Sequence, residues 1–215
     1  MTNKKSPAPI IVALDGMTKK EALKMAQELK GLVWGFKVND LLFEGVEIIK
    51  KLKKFGKVFA DAKLHDIPNT VANSVARLSK AEADLITVHA SGGVEMMRAA
   101  KKVAGKSKLI AVTVLTSQKS GKSVGQLAKD AQKAGVDGVV CSADELKKVK
   151  KLKNLIKVVP GIRPEWYKSK DDQQRIASPR QALENGADFL VIGRPITQSP
   201  SPLAALKKIL AEVKI

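Results

Sequence analysis

Eight short apolar runs, each followed by a helical or polar stretch, constrain the fold of this chain more than any other feature. Polar residues or glycine bound each run, as they bound β-strands. The runs are hydrophobic nearly throughout rather than at every second residue, which is typical of parallel strands covered by helices. They span residues 10–15, 34–38, 57–63, 85–89, 109–115, 138–142, 157–160 and 189–192.

Amphipathic stretches with a helical period separate these runs. The clearest are residues 18–30, 124–134 and 202–213. Within the first, Thr18 and Glu21 have the spacing of a capping box, which predicts that a helix begins there.

The alternation of strands and helices predicts an α/β fold. A chain of 215 residues with 44% hydrophobic residues suits one compact domain with a substantial core. Eight strand–helix units predict a single-domain (β/α)8 TIM barrel over residues 1–215, with residues 1–8 as a flexible N-terminal tail. An open, doubly wound sheet has the same alternation and stays as the alternative.

The cysteine content and the hydropathy pattern predict a cytoplasmic protein without membrane association. The single cysteine, Cys141, lies in an apolar run, so we expect a buried thiol in a reducing compartment. No apolar stretch approaches the ~18–20 residues that a membrane-spanning helix needs.

The net charge of +18 raises the alternative of nucleic-acid binding. Lysines supply most of this charge, in runs such as residues 50–54 and 147–151, which are typical of solvated helix faces. Only 4% of the residues are aromatic and no nucleic-acid motif is present, so we expect no nucleic-acid partner. The surplus charge instead favours encounter with an anionic small molecule.

Polar residues follow the predicted strands, at the end of the barrel where active sites of this fold lie. Asp61 and Lys63 are two residues apart on the third strand, so both side chains point to one face. With Lys37 and Asp66 they predict an alternating array of ammonium and carboxylate groups, because unpaired charges are costly to bury. The full set is Asp15, Lys37, Asp61, Lys63, Asp66, His89, Thr116, Ser142, Arg163 and Arg194.

A second group of residues predicts a phosphate site. Pro160, Gly161 and Arg163 follow the seventh strand, and Gly193 with Arg194 follows the eighth. The loops after these two strands commonly bind phosphate in such barrels. Glycine lets backbone N–H groups approach an anion, and the arginine fork matches phosphate oxygens.

The run from Asp61 to Thr70, DAKLHDIPNT, resembles the signature of the orotidine 5'-phosphate decarboxylase family. Shorter motifs extend the resemblance over nearly the whole chain: VALD (12–15), GFK (35–37), TVHA (87–90), VLT (114–116), PGIR (160–163), DQQR (172–175) and VIGRPIT (191–197). The resemblance implies a carboxy-lyase that converts orotidine 5'-phosphate (OMP) to UMP and CO2 in pyrimidine biosynthesis, without a metal or cofactor. It also implies a homodimer with active sites shared between subunits.

The resemblance also implies roles for single residues. Asp15 and Lys37 contact the ribose hydroxyls, Asp61 lies beside the substrate carboxylate, and Lys63 delivers a proton to C6. Asp66, Ile67 and Thr70 reach into the partner's site. One of Thr116, Ser117 and Ser120 contacts the pyrimidine. The phosphate end comprises Pro160, Arg163, Gln173, Gly193 and Arg194.

The alternative function is that of a related barrel, an Mg2+-dependent 3-keto-L-gulonate-6-phosphate decarboxylase or hexulose-6-phosphate synthase. Those enzymes share an Asp-x-Lys-x-x-Asp motif but carry an acidic metal ligand at the end of the second strand. Here that place holds Lys37, a cation, which favours the metal-free enzyme.

Overall fold

The computed structural model describes residues 7–114, 124–152, 154–168 and 175–213. In this part of the chain eight parallel strands form a closed barrel, in which β1 pairs with β8 as well as with β2. Closure excludes the open, doubly wound sheet and confirms the (β/α)8 barrel. The strands are β1 (Ala8–Ala13), β2 (Val33–Val38), β3 (Lys57–Leu64), β4 (Leu85–His89), β5 (Lys108–Val112), β6 (Gly138–Val140), β7 (Ile156–Val159) and β8 (Phe189–Ile192).

Helices cover the outside of the barrel. The first begins at the predicted capping box, in which Thr18 accepts a hydrogen bond from the N–H of Glu21 and the Glu21 carboxylate accepts one from the N–H of Thr18. Short 3-10 segments follow β2, β4 and β6. The α-helices of the described residues are α1 (Lys19–Glu28), α2 (Glu47–Leu52), α3 (Pro68–Lys80), α4 (Gly93–Val103), α5 (Val124–Ala134), α6 (Leu146–Val149), α7 (Pro179–Glu184), α8 (Arg194–Thr197) and α9 (Pro202–Glu212).

Some predicted boundaries differ from the observed ones. Ala8 lies in β1, so the predicted N-terminal tail is too long by at least this residue. β6 ends at Val140, two residues early, because Ser142 caps the 3-10 segment Ala143–Glu145. The predicted fifth strand ends at Leu115, which lies outside the described residues.

The apolar side chains form two layers. One fills the barrel and includes Ile11, Phe59, Leu85, Ile110 and Val158. The other lies between the strands and the helices and contains most of the buried residues, Cys141 among them. Both faces of each strand are therefore buried, which is why the strands are hydrophobic nearly throughout.

Three turns at the amino ends of the strands repeat one pattern. In each, a residue with positive φ precedes a small buried apolar residue and then an aspartate. The turns are Glu82-Ala83-Asp84, Gly135-Val136-Asp137 and Gly186-Ala187-Asp188, ahead of β4, β6 and β8.

The aspartate of each turn links the strand that follows it to the strand before that one in the chain, by accepting a hydrogen bond from its backbone. Asp137 accepts a hydrogen bond from the backbone N–H of Leu109 at 2.8 Å. It also pairs with the ammonium groups of Lys101 at 2.5 Å and Lys108 at 3.2 Å. Asp84 makes the equivalent contacts with Val58, Lys53 and Lys57, and Asp188 with the N–H and ammonium groups of Lys157.

Part of the surplus positive charge lies at this end of the barrel. The last turns of α2, α3, α4, α5 and α6 all carry lysine or arginine, and a cation there interacts favourably with the negative end of the helix dipole. The lysine runs therefore stabilise helix ends on the face opposite the carboxyl ends of the strands. None of the helices in the described parts of the chain combines the length and the hydrophobicity that a membrane span requires.

We expect Asp137→Asn to lower the free energy of unfolding by about 1–3 kcal/mol, because it removes a charged acceptor shared by a backbone amide and two ammonium groups. Burial alone would raise the pKa of Asp137, but these partners, Lys101 first among them, outweigh it and hold that pKa below its ordinary value. Its stabilising contribution is therefore present above the normal aspartate range and is lost as pH falls. Urea titrations at several pH values measure both effects. Asp144→Asn, at an exposed position, is the control; equal stability of the two variants would contradict the assignment.

Candidate active site

A cavity of about 960 Å³ opens at the carboxyl ends of the strands. Its floor is apolar and includes Phe59, Val112, Val140, Val158 and Val191. Nine of the residues predicted from the sequence also line it: Asp15, Lys37, Asp61, Lys63, Pro160, Gly161, Arg163, Gly193 and Arg194.

Four charged side chains in this cavity form one continuous ion-paired array. The Lys37 ammonium lies 2.7 Å from a carboxylate oxygen of Asp15 and 3.2 Å from one of Asp61. The Lys63 ammonium lies 2.6 Å from the same oxygen of Asp61. The array therefore runs Asp15–Lys37–Asp61–Lys63, across the ends of β1, β2 and β3.

Burial and charge oppose each other at the centre of this array. Burial alone would raise the pKa of Asp61, but the ammonium groups of Lys37 and Lys63 outweigh it and hold that pKa below its ordinary value. Burial alone would lower the pKa of Lys37, but the carboxylates of Asp61 and Asp15 raise it above its ordinary value. Asp61 is thus a carboxylate and Lys37 an ammonium ion at neutral pH.

An irregularity in β3 presents Asp61 and Lys63 to the cavity. The pairing of β3 with β4 shifts register between Ala60 and Leu64, and Lys63 has a φ of +47°, which is unusual for a residue with a side chain. Thr87 of β4 holds this backbone: its hydroxyl oxygen accepts a hydrogen bond from the N–H of Lys63 at 2.8 Å and donates one to Asp61 at 2.9 Å.

Sequence reasoning did not assign a site role to Thr87 or Asn39. Thr87 is fully buried, and the Asn39 amide donates a hydrogen bond to the backbone carbonyl of Asp61 at 2.6 Å. The signal for Thr87 was a hydroxyl in an otherwise apolar strand, since a buried hydroxyl needs a partner. Only the pairing of β3 with β4 identifies that partner.

Asp66 lies apart from the array within one chain. Its side chain accepts a hydrogen bond from the N–H of Ile67 at 2.6 Å, and residues 65–70 are all exposed. The single-chain array therefore contains Asp15 in place of the predicted Asp66. Ile67 is 66% exposed, which is high for a large apolar residue beside an active-site cleft.

The predicted phosphate residues lie after β7 and β8. Gly161 has a φ of +74°, a conformation that glycine adopts at little cost. The guanidinium group of Arg163 donates a hydrogen bond to the carbonyl of Ile162 and lies over the ring of Tyr167. Arg194 is the first residue of α8, which begins directly after Gly193.

His89, at the end of β4, does not add a cation to the site at neutral pH. Burial, the nearby His65 and the Lys63 ammonium all lower the pKa of His89, against a smaller opposing effect of Asp61. Its ring centroid lies 5.5 Å from that of His65. Among the described residues, no three His, Cys, Asp or Glu side chains are grouped so that they could hold a metal ion.

Comparison with known proteins identifies the family. Residues 8–209 match the model of the "Orotidine 5'-phosphate decarboxylase / HUMPS family". The chain belongs to this family. Orotidine 5'-phosphate decarboxylases from Dichelobacter nodosus and Carboxydothermus hydrogenoformans are each 44% identical to it, over 95% of this chain and 98% and 95% of theirs.

Solved structures of the orotidine 5'-phosphate decarboxylase family have the same fold. The enzyme from Lactobacillus acidophilus superposes with a TM-score of 0.80 at 36% identity, over 96% of this chain and 99% of that one. The enzyme from Pyrococcus horikoshii superposes with a TM-score of 0.79 at 26% identity, over 96% and 99%. Four residues for which the family resemblance implies a role lie outside the described residues: Thr116, Ser117, Ser120 and Gln173.

We expect Thr87→Val to reduce kcat about tenfold, because it leaves the N–H of Lys63 without its acceptor and releases one oxygen of Asp61. Thr87 is fully buried and does not line the cavity, so KM should change little. Thr87→Ser keeps the hydroxyl and is the matched control. Steady-state kinetics of the two variants decide the matter, and an equal loss in Thr87→Ser, which keeps the hydroxyl, would contradict the role assigned to that hydroxyl.

Proposed function

We propose that this chain is an orotidine 5'-phosphate decarboxylase, a carboxy-lyase that converts OMP to UMP and CO2 in UMP biosynthesis. One observation carries the proposal: the Lys63 ammonium is held 2.6 Å from the ionised Asp61, in a cavity that also contains Arg163 and Arg194. The cavity thus combines a positioned proton donor with cations suited to a phosphate. The name shared by the curated relatives supports the same activity.

The chemistry requires stabilisation of a negative charge at C6. When the bond from C6 to the carboxylate carbon breaks, CO2 leaves and the electron pair stays on C6 in the ring plane, where the π system cannot delocalise it. A positioned ammonium stabilises that charge by electrostatics. Lys63 then transfers a proton to C6, giving UMP, and its neutral amine regains a proton from water.

The other residues of the cavity position the substrate in this proposal. Asp15 and Lys37 contact the ribose hydroxyls, and Asp61 lies beside the substrate carboxylate and orients Lys63. The apolar floor accommodates one face of the pyrimidine. The phosphate end consists of Pro160, Arg163, Gln173, Gly193 and Arg194, and Thr116 or a neighbour contacts the base. Binding energy from the phosphate contributes to the transition state.

We further infer that the chain is one barrel domain and that two copies form a homodimer with shared active sites. We also infer that the protein is cytoplasmic, because phosphorylated nucleotide precursors are made and used in the cytoplasm. The support for a dimer is an exposed edge next to the cavity. Phe43, which follows β2, is 92% exposed, and Ile67, which follows β3, is 66% exposed. Because β2 and β3 are neighbours, both apolar side chains lie at the same edge of the barrel, beside Asp66 and Thr70.

The direct test is the loss of OMP absorbance with the purified chain in EDTA and without added metal. We expect full turnover under these conditions, because Lys37 and Lys63 already neutralise the carboxylates that would otherwise attract a cation. Turnover of OMP that EDTA abolishes and Mg2+ restores would contradict the metal-free mechanism. No loss of OMP under either condition would refute the proposed activity.

We expect Lys63→Ala to reduce kcat by about 10³-fold or more, since it removes both the electrostatic stabilisation of the carbanion and its proton donor. Affinity for UMP should change only a few-fold, because the phosphate end is untouched. Kinetics and UMP titration by calorimetry measure the two effects. Lys20→Ala, an exposed lysine of α1, is the control, and near-normal turnover by Lys63→Ala would exclude Lys63 as the donor.

Mixing Lys63→Ala with Asp66→Asn subunits should restore activity, although each variant alone is nearly inactive. At equal amounts, half of the dimers are hybrids and each hybrid has one intact site, so about a quarter of wild-type activity is expected. Mixing Lys63→Ala with the double variant should restore none. If subunit exchange is demonstrated and no activity returns, Asp66 serves its own subunit.

A further inference from the structure

A buried ion pair outside the cavity joins the end of β6 to the segment that follows β7. Glu145 is only 4% exposed, and one of its carboxylate oxygens pairs with the guanidinium group of Arg175. The same guanidinium group lies 3.4 Å from the hydroxyl of Ser142, which is fully buried. None of these three residues lines the cavity.

Helix capping does not explain why residue 145 is charged. The other carboxylate oxygen of Glu145 accepts a hydrogen bond from the N–H of Ser142, as in a capping box. The same motif at the start of α7 uses Ser178 with Gln181, a neutral amide. A glutamine therefore suffices for capping in this chain, whereas burying a carboxylate is costly unless it is paired. The contact with Arg175 therefore explains why residue 145 carries a charge.

The segment that Arg175 begins lies along the predicted phosphate loop. The N–H of Arg163 donates a hydrogen bond to the carbonyl of Ala177 at 2.9 Å, and Ile162 and Ala177 form a parallel β-bridge. Gly161 and Arg163 line the cavity. Two residues of chain thus connect the ion pair to the backbone that holds Arg163.

We propose that Glu145 and Arg175 are positioning residues for the phosphate end of the active site. Their ion pair fixes residues 175–177 to the end of β6, and the β-bridge transmits that position to residues 161–163. The inference rests on the proposed function, because it assigns the phosphate of OMP to this loop. According to this inference, the affinity for the phosphate depends on the Glu145–Arg175 ion pair, although neither residue touches the substrate.

Simple electrostatics predicts the opposite effect for one substitution. If Arg175 acted only through its charge, Glu145→Gln would remove a nearby negative charge and strengthen the binding of an anion. Positioning predicts weaker binding, because the loop loses its anchor while the capping hydrogen bond is retained. The direction of the change therefore separates the two explanations.

The experiment compares UMP with uridine, which lacks the phosphate, as competitive inhibitors of the Glu145→Gln variant. We expect KM for OMP and the inhibition constant of UMP to rise about ten- to a hundredfold, the size of effect that misplaced binding groups produce. Inhibition by uridine should stay at the wild-type level, and kcat at saturating OMP should fall less than KM rises. Equal losses for UMP and uridine, tighter UMP binding, or unchanged constants would each overturn the proposal.

Two further variants keep the test decisive. Arg175→Lys retains the charge but not the guanidinium fork, and it serves as the test if Glu145→Gln does not fold. It should likewise weaken inhibition by UMP and leave inhibition by uridine unchanged. Asp137→Asn breaks a comparable ion pair at the opposite end of the barrel, and it should lower stability without separating UMP from uridine. Turnover by the unaltered chain tests the proposed function, and calorimetric titration with UMP and uridine tests the ion pair without requiring turnover.

Discussion

The ionised carboxylate of Asp61, buried at the end of β3, is the constraint on which the active site depends. A charge with 7% exposure is tolerated only when several partners compensate for its lost hydration. Lys37 of β2, Lys63 of β3 and Thr87 of β4 provide them. These partners come from three adjacent strands. The barrel therefore holds the ammonium and hydroxyl groups around the carboxylate, and the carboxylate in turn links the ends of the three strands.

The backbone at Lys63 shows that this arrangement has a local cost. A left-handed conformation is unfavourable for a residue with a side chain, by roughly 1–3 kcal/mol, and such conformations are concentrated at functional sites. Here the hydrogen bond from the Lys63 N–H to Thr87 and the shifted pairing with β4 maintain it. The consequence is an ammonium group aimed at one oxygen of Asp61, which is the preorganisation that electrostatic catalysis requires.

The two ends of the barrel use charge differently. At the carboxyl ends of the strands, buried charges are arranged around a cavity. At the amino ends, Asp84, Asp137 and Asp188 each accept a hydrogen bond from the backbone of a neighbouring strand and pair with exposed or half-buried lysines. Stability and function are thereby assigned to opposite faces, as is usual in this fold.

The sequence by itself determined the eight strands and their alternation with helices, the N-terminus of α1, and most of the charged residues that line the cavity, because strand period and strand ends are local properties. It did not determine the closure of the barrel, since an open sheet has the same alternation, and the pairing of β1 with β8 decided that point. Tertiary structure also placed Asp15 in the array instead of Asp66 and brought Thr87 to Lys63. It joined Glu145 to Arg175, thirty residues apart. Such contacts depend on register between strands and on side chains from distant turns, which no local pattern encodes.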